Sequence, residues 1–218
     1  MIDIAQQEAF FIAIGNILTK KLTVYAIGGT AMMLRSIKDS TLDIDFVFKK
    51  RIDREVFIEV LKKLGSKDSD VTLVYGLKNN TPIMRELGGA RFDLFLNKVI
   101  TSTFSENMEK RAEQTHEFGK NLIVKVASPQ DIILMKSATS RTKDLNDIVS
   151  ISQKTPINWK SLIEDAQEQV SLGNEVAILS LGENLEKLKQ QKLISVPKEV
   201  LDNLYTLLKK QIDEKKKI

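Results

Sequence analysis

The stretch from Tyr25 to Phe48, YAIGGTAMMLRSIKDSTLDIDFVF, decides how the rest of the chain is read. It continues the apolar run Val24-Tyr25-Ala26-Ile27, the pattern of a buried strand. The run stops at Gly28-Gly29, where a backbone can turn sharply and leave its N–H groups uncovered. Thr30 is then expected as the N-cap of a short helix through Ala31-Met32-Met33-Leu34-Arg35. A second strand is expected over Thr41 to Phe48. Alternation along it puts Thr41, Asp43 and Asp45 on one face and Leu42, Ile44 and Phe46 on the other.

Two aspartates on one strand face are physically awkward, because Asp is depleted in strands and like charges repel. A cation between them removes that cost. Hard oxygen ligands suit Mg²⁺, which takes one or two carboxylates plus substrate phosphates. The glycine turn into a helix N-terminus supplies free N–H groups and a positive dipole end for a phosphate. Each feature alone also fits a solvent-facing strand after a tight turn; their combination within one strand–helix–strand unit points to a triphosphate site.

The anomaly recurs at Ala90-Arg91-Phe92-Asp93-Leu94-Phe95-Leu96, an apolar strand carrying one buried-looking carboxylate. Two readings are open: an ion pair between Asp93 and Arg91, its neighbour on the same face, or a third carboxylate beside Asp43 and Asp45. The second is favoured.

These residues resemble the nucleotidyltransferase superfamily with the DNA-polymerase-β-like fold, whose signature is hydrophobic–Gly–(Gly/Ser), a spacer, Asp-x-Asp, and a later carboxylate. The wording IGGTAM followed by TLDID is most similar to AbiEii-like toxin nucleotidyltransferases and their uncharacterised relatives; Thr30 stands where many members have Ser. The resemblance implies Mg²⁺ or Mn²⁺ on Asp43, Asp45 and Asp93, with Asp93 helping to deprotonate the acceptor hydroxyl. It implies nucleotide contacts from Gly28, Gly29, Thr30 and Thr41. A second block, Asp131 through Lys136 to Ser140-Arg141-Thr142-Lys143-Asp144 and Asp147, resembles the Pro-x-Asp … Lys … Arg-x-Lys-Asp-x-x-Asp passage of the same proteins. The family suggests nucleotide phosphates for Lys136, with Arg141 and Lys143 as further nucleotide-site residues and Asp147 as a partner that positions the basic side chains; the alternative is a surface Lys–Asp network worth little. On a continuous helix Lys136, Lys143 and Asp147 would share one face.

Composition narrows the classes. With 218 residues, 42% hydrophobic and 28% charged, the chain can build one core or a core with a helical appendage. It contains no cysteine and one histidine, which excludes disulfides and thiol catalysis and makes His-rich metal sites and a Ser-His-Asp hydrolase poor fits. His116, in a polar stretch, is expected at the surface. No apolar run reaches the ~20 residues of a membrane span, and Met1-Ile2-Asp3-Ile4 lacks the basic region of a signal peptide; a cytoplasmic protein is expected. The net charge of +4 lies mostly in the lysines after residue 208, so bulk charge does not by itself argue for nucleic-acid binding.

Elsewhere the spacing predicts a helix over 3–19 with Gln6-Gln7-Glu8 away from its apolar side, a helix over 53–64, strands at Val71–Tyr75, Ile83–Leu87 and Asn121–Ala127, and a helix launched by Ser128-Pro129. Thr103–Glu117 is expected to be helix plus loop. Three amphipathic helices are expected at about 158–172, 174–191 and 197–216, the last striped by Leu201, Leu204, Leu208 and Ile212. The expected architecture is α/β (α+β): a nucleotidyltransferase-like mixed β-sheet flanked by helices (1–127), then a helical C-terminal region (128–218) packed on it. The expected activity is transfer of an NMP from an NTP to RNA, tRNA or a protein hydroxyl. The resemblance adds the role of a toxin with a cognate antitoxin. The alternatives are a catalytically silent nucleotide- or partner-binding module of the same fold, and a nucleic-acid-binding protein working through its lysine-rich end.

Overall fold

The computed structural model describes residues 1–138 and 141–215, with the side chains of Gln211, Ile212, Glu214 and Lys215 left out. In chain order the first elements are β1 (Ile2–Asp3), α1 (Ile4–Ile17), β2 (Leu22–Ala26), α2 (Gly28–Leu34), β3 (Ser40–Thr41), β4 (Asp43–Phe48), α3 (Arg51–Lys63) and β5 (Lys67–Asp68). Next come α4 (Thr72–Tyr75), β6 (Ile83–Leu87), β7 (Ala90–Leu96), β8 (Lys98–Val99), β9 (Ser102–Thr103), α5 (Glu106–Arg111), β10 (Thr115–Phe118) and β11 (Leu122–Val126). The helices α6 (Pro129–Ser137), α7 (Thr142–Lys154), α8 (Trp159–Ser171), α9 (Glu175–Gln190) and α10 (Lys198–Lys215) complete the chain. The chain divides into two compact units, residues 1–100 with 108–128, and residues 101–107 with 129–218. The expected position Ser140, the predicted helix end at residue 216 and the stripe residue Ile212 lie outside the described residues and side chains.

The first unit is built on a mixed sheet with strand order β10-β11-β2-β4-β7-β6-β5. Strand β4 lies at its centre, antiparallel to β2 and parallel to β7. Ile44, Phe46 and Phe48 alternate onto one face and are fully buried. Helices α1 and α3 meet that face: Phe11 of α1 lies 5.3 Å from Phe46, and Phe57 of α3 lies 5.5 Å from Phe46 and 5.3 Å from Phe48 between ring centres. Burial of each such side chain contributes about 1.5–3 kcal/mol, so these rings fix which face of β4 turns inward. Asp43 and Asp45 therefore turn to the opposite face.

Helix α1 starts at a capping box, in which Asp3 accepts from the Gln6 amide at 2.8 Å and the Asp3 amide donates to the Gln6 side chain. Gln7 is fully buried and Ile4 is 40% exposed, so the face turned to the sheet differs from the one its apolar spacing suggested.

Three local expectations give way. Val71–Tyr75 is not a strand: Asp70 accepts from both the amide and the hydroxyl of Thr72, at 2.8 and 2.6 Å, and the chain turns into the single-turn helix α4. Strand Thr41–Phe48 is interrupted at Leu42, with Thr41 paired to Ile2 in β1. The polar run Thr115–Phe118 forms β10 at the sheet edge, where Phe118 is buried and Thr115 and Glu117 face solvent. His116 there is half-buried, stacks on Phe118 and lies 2.9 Å from the Gln114 side chain.

The second unit is helical. Leu162 and Ala166 of α8, Ile178, Leu181 and Leu185 of α9 and Leu204 of α10 are its fully buried stripe residues. Gln169 ties the Thr103 backbone on both sides, accepting from its amide at 2.8 Å and donating to its carbonyl at 2.7 Å. No helix among the described residues is long and apolar enough to cross a membrane.

Candidate active site

The site grows from the parallel pairing of β4 and β7. Its register sets Asp43 opposite Arg91 and Asp45 opposite Asp93. Side chains in register on one sheet face are near neighbours, so the chain places two carboxylates face to face, an unfavourable pair unless a cation joins them. One oxygen from each of Asp43, Asp45 and Asp93 lies within 4.8 Å of the other two. Asp93 is fully buried, Asp43 is 8% exposed and Asp45 is half-buried.

Arg91 supplies the positive charge inside the protein. Its Nε donates to Asp93 Oδ1 at 2.8 Å and its Nη2 to Asp93 Oδ2 at 3.0 Å, a bidentate grip, and Nη2 also donates to Asp43 Oδ2. The ion pair anticipated for Asp93 is thus present together with the three-carboxylate cluster, and Arg91 bridges two of its members. Tyr75, reaching in from α4, donates its hydroxyl to Asp93 Oδ2 at 2.6 Å and packs edge-on against Phe95. Burial holds the Asp93 carboxyl above the usual carboxylate range, against the opposing bonds from Arg91 and Tyr75. The Tyr75 hydroxyl is pushed up, first by burial and then by the charges of Asp45 and Asp93, so it stays protonated and acts as donor.

The glycine turn lies against the same carboxylates. Gly28 has φ +54°, and a Cβ there would stand 2.5 Å from Asp45 Oδ2. A Cβ on Gly29 would collide with the Thr41 hydroxyl. Gly28 is required by the Asp45 carboxylate and Gly29 by the Thr41 side chain, both of which the turn touches. Thr30 does not cap α2; the N-cap is Ile27, without a side-chain bond. Instead the fully buried Thr30 hydroxyl accepts from the Asp45 amide at 2.8 Å, fixing the strand that carries the two aspartates. The Thr41 hydroxyl lies 3.4 Å from Asp43 Oδ1 as its donor.

The donor set fits a divalent ion. Oxygens bound at ~2.1 Å to one ion stand at most about 4.2 Å apart, so a contraction of about 0.6 Å or less would bring one oxygen of each residue around a single ion.

Lys136, Arg141, Lys143 and Asp147 belong to the second unit, where α6 and α7 are separate helices and the shared face of a continuous one does not exist. Lys136 Nζ lies 2.6 Å from Asp147 Oδ2 and 3.0 Å from Asp144 Oδ1, and Arg141 Nε lies 2.7 Å from Asp144 Oδ2. Asp144 and Asp147 are buried, so this is an internal network and not a loose surface pair. Lys143 is exposed. Asp131, the first residue of the second family-like block, is fully buried in the first turn of α6.

Sequence reasoning passed over Tyr75, assigned to a strand, and weighed Arg91 only as a partner of Asp93. The usable signal for Arg91 was its place two residues before Asp93 on a strand, on the same face. Tyr75 gave no comparable signal, since its contact depends on the fold of the 70–82 segment.

Two solved structures are similar at low identity. One is ANT(2″)-Ia in complex with adenylyl-2″-tobramycin, 16% identical over 76% of this chain and 88% of that one, with a TM-score of 0.37. The other is JHP933 from Helicobacter pylori, 12% identical over 99% and 97% of the two chains, with a TM-score of 0.41. No curated protein matches the chain in sequence. The family described as "Nucleotidyltransferase of unknown function (DUF6036)" matches residues 15–192, a span holding the glycine turn, the three carboxylates and the Lys136–Asp147 block. The chain therefore belongs to this nucleotidyltransferase family.

Proposed function

We propose that the chain transfers a nucleoside monophosphate from an NTP to an acceptor hydroxyl, dependent on Mg²⁺ or Mn²⁺ held by Asp43, Asp45 and Asp93. The observation that carries this reading is the convergence of three carboxylates against a turn that only glycines can form. When bound, the divalent ions would neutralise the triphosphate and polarise the phosphorus under attack.

The chain's own residues do the rest. Gly28 and Gly29 let the turn lie against Asp45 and Thr41, which would bring a nucleotide phosphate at the turn beside the carboxylates, and Thr30 holds the Asp45 backbone in place. Asp93, raised by burial, is the carboxylate best suited to accept the acceptor's proton. The attacking oxygen bonds to the α-phosphorus and pyrophosphate leaves with the electron pair of the broken bond. Arg91 balances the acidic cluster, and Asp43, Asp45 and Asp93 are the residues that would hold the divalent ion, whose charge would take over the balancing role of the guanidinium. Arg141 and Lys143, exposed on the second unit, keep cationic ends suited to nucleotide phosphates, while Lys136 and Asp147 position that block.

For the acceptor, the AbiEii-like wording of the glycine and Asp-x-Asp motifs favours RNA, tRNA included, and the role of a toxin restrained by a cognate antitoxin; a protein hydroxyl is the other acceptor class. A second reading is favoured by the Arg91 bridge: a nucleotide-binding module whose carboxylates stay paired and do no chemistry. Incubation with Mg²⁺ or Mn²⁺, each labelled NTP and total RNA separates the two. Label entering RNA and lost in Asp43→Ala and Asp93→Ala supports the transferase. Nucleotide binding without label transfer supports the silent module.

A further inference from the structure

We propose that Tyr75 is a self-nucleotidylation site: the chain transfers a nucleoside monophosphate to its own Tyr75 hydroxyl. This rests on the transferase reading above and adds an acceptor within the chain. The Tyr75 hydroxyl already occupies the place an acceptor needs, 2.6 Å from Asp93 Oδ2 and beside the oxygens of Asp43 and Asp45. That separation lies within the reach required of a general base and the proton it removes.

The surroundings of Tyr75 fit a group that enters the site and leaves it. None of the four residues of α4 is buried, although the Tyr75 ring reaches the buried Asp93. Leu73 and Leu77 on either side are 84% and 99% exposed, so the turn is anchored by little besides Tyr75 itself. Its ring contact is with Phe95, and Gly76 follows in a left-handed conformation at φ +61°. A tyrosine serving only to fill space would not need its hydroxyl aimed at the deepest carboxylate of the cluster.

The reaction balances without any further reagent. The Tyr75 O–H bond breaks and its proton passes to the Asp93 carboxylate and on to solvent. The phenolic oxygen bonds to the α-phosphorus of the NTP, and pyrophosphate departs with the electron pair of the α–β bridge. The product, an aryl phosphodiester, has lost the proton it donated to Asp93 and carries a negative charge next to three carboxylates. Repulsion then drives Tyr75 and α4 away from the cluster.

The test incubates the full-length chain with Mn²⁺ and each NTP in turn, followed by intact-mass and peptide mass spectrometry and phosphorus NMR. The expected result is a mass gain of one nucleoside monophosphate, mapped to Tyr75, with the phosphorus signal of an aryl phosphodiester. Tyr75→Phe, which keeps the ring against Phe95, and Asp93→Asn should both abolish the gain. NTP binding, followed by thermal shift, should persist in Tyr75→Phe. Label on another residue, or an unmodified chain that labels added RNA, overturns the Tyr75 assignment and leaves the transferase reading standing; an unmodified chain that binds NTP and labels nothing overturns both and favours the silent module. A chain that binds no NTP and labels nothing overturns both.

Discussion

Gly28→Ala tests whether the glycine turn exists to bring the backbone against the carboxylates. Two separate penalties follow from the geometry. The φ of +54° is a left-handed conformation, in which a Cβ costs about 1–2 kcal/mol. The new Cβ would also stand 2.5 Å from Asp45 Oδ2, and ordinary contact begins at 3.4 Å, so the carboxylate must retreat by about 0.9 Å. Metal–ligand distances tolerate about 0.2 Å, and a misplacement near 1 Å at a reacting centre can cost about 100-fold in rate. Gly28→Ala should therefore lose 1–2 kcal/mol in urea unfolding, weaken Mn²⁺ binding at least ~10-fold by calorimetry or electron paramagnetic resonance, and lower NMP transfer ~100-fold at a temperature where the variant is fully folded. Gly65→Ala is the control. Its φ is +90° and a Cβ there meets nothing within 4 Å, so it should lose stability from backbone strain alone and keep Mn²⁺ affinity. Equal Mn²⁺ affinity in both variants, with equal stability losses, would refute the reasoning.

Arg91→Gln removes the bridge between Asp43 and Asp93; in metal-free buffer it should destabilise by about 1–3 kcal/mol, less than a fully buried pair because a quarter of the Arg91 side chain is exposed. Adding Mn²⁺ should restore that loss and bind more tightly than in the parent chain, and a metal-insensitive unfolding midpoint would count against the cluster as a cation site. Asp93→Asn reads the sign of the Asp93 shift. Its folded pKa is raised, so the parent's stability from this group is fully present below the unfolded value of ~3.9 and is lost as pH climbs through the folded value. The variant escapes that loss, so its stability relative to the parent should rise with pH over this window while transfer disappears; a difference that is flat or falls with pH is the contrary result. Thr30→Val leaves the Asp45 amide without its acceptor and should cost about 1–3 kcal/mol in denaturant unfolding, whereas Thr30→Ser should recover most of it. If valine and serine behave alike, the hydroxyl is not what fixes β4.

What was legible in the sequence is what local rules govern. Alternation along Asp43–Phe48 and Ala90–Leu96 placed both acidic strands, because each buries a continuous apolar face that permits one register only. Gly28-Gly29 marked the turn, and the helix ranges of the C-terminal half followed from leucine spacing between clear boundaries, Gly173 after α8 and Pro197 before α10. What was illegible depends on partners far along the chain. Thr30 looks like a cap, yet its hydroxyl is claimed by an amide fifteen residues later. Val71–Tyr75 has strand composition, but Asp70 captures Thr72 and no strand among the described residues pairs with the segment. The apparent unity of Lys136 to Asp147 ignored the break between α6 and α7, across which Lys136 meets Asp144 and Asp147 by folding back instead of by helical spacing.

The pairing of β4 with β7 also supports the proposed role of the cluster as a cation site. Two residues beyond Asp45 and Asp93, on the same face and in the same register, stand Val47 and Phe95, the kind of apolar pair that stabilises a sheet. An equivalent pair at 45 and 93 would bury apolar area without desolvating charge. The chain instead holds a fully buried carboxylate opposite another, and Arg91 offsets this only in part, since the Asp93 carboxyl stays above its usual range despite a bidentate guanidinium and a tyrosine donor. A buried carboxyl held above its usual range by desolvation would gain from an added cation, and the glycine turn lies directly against the neighbouring Asp45. The glycine at φ +54° and the buried Asp93 thus belong to one arrangement, in which the turn packs against the acidic strand pair.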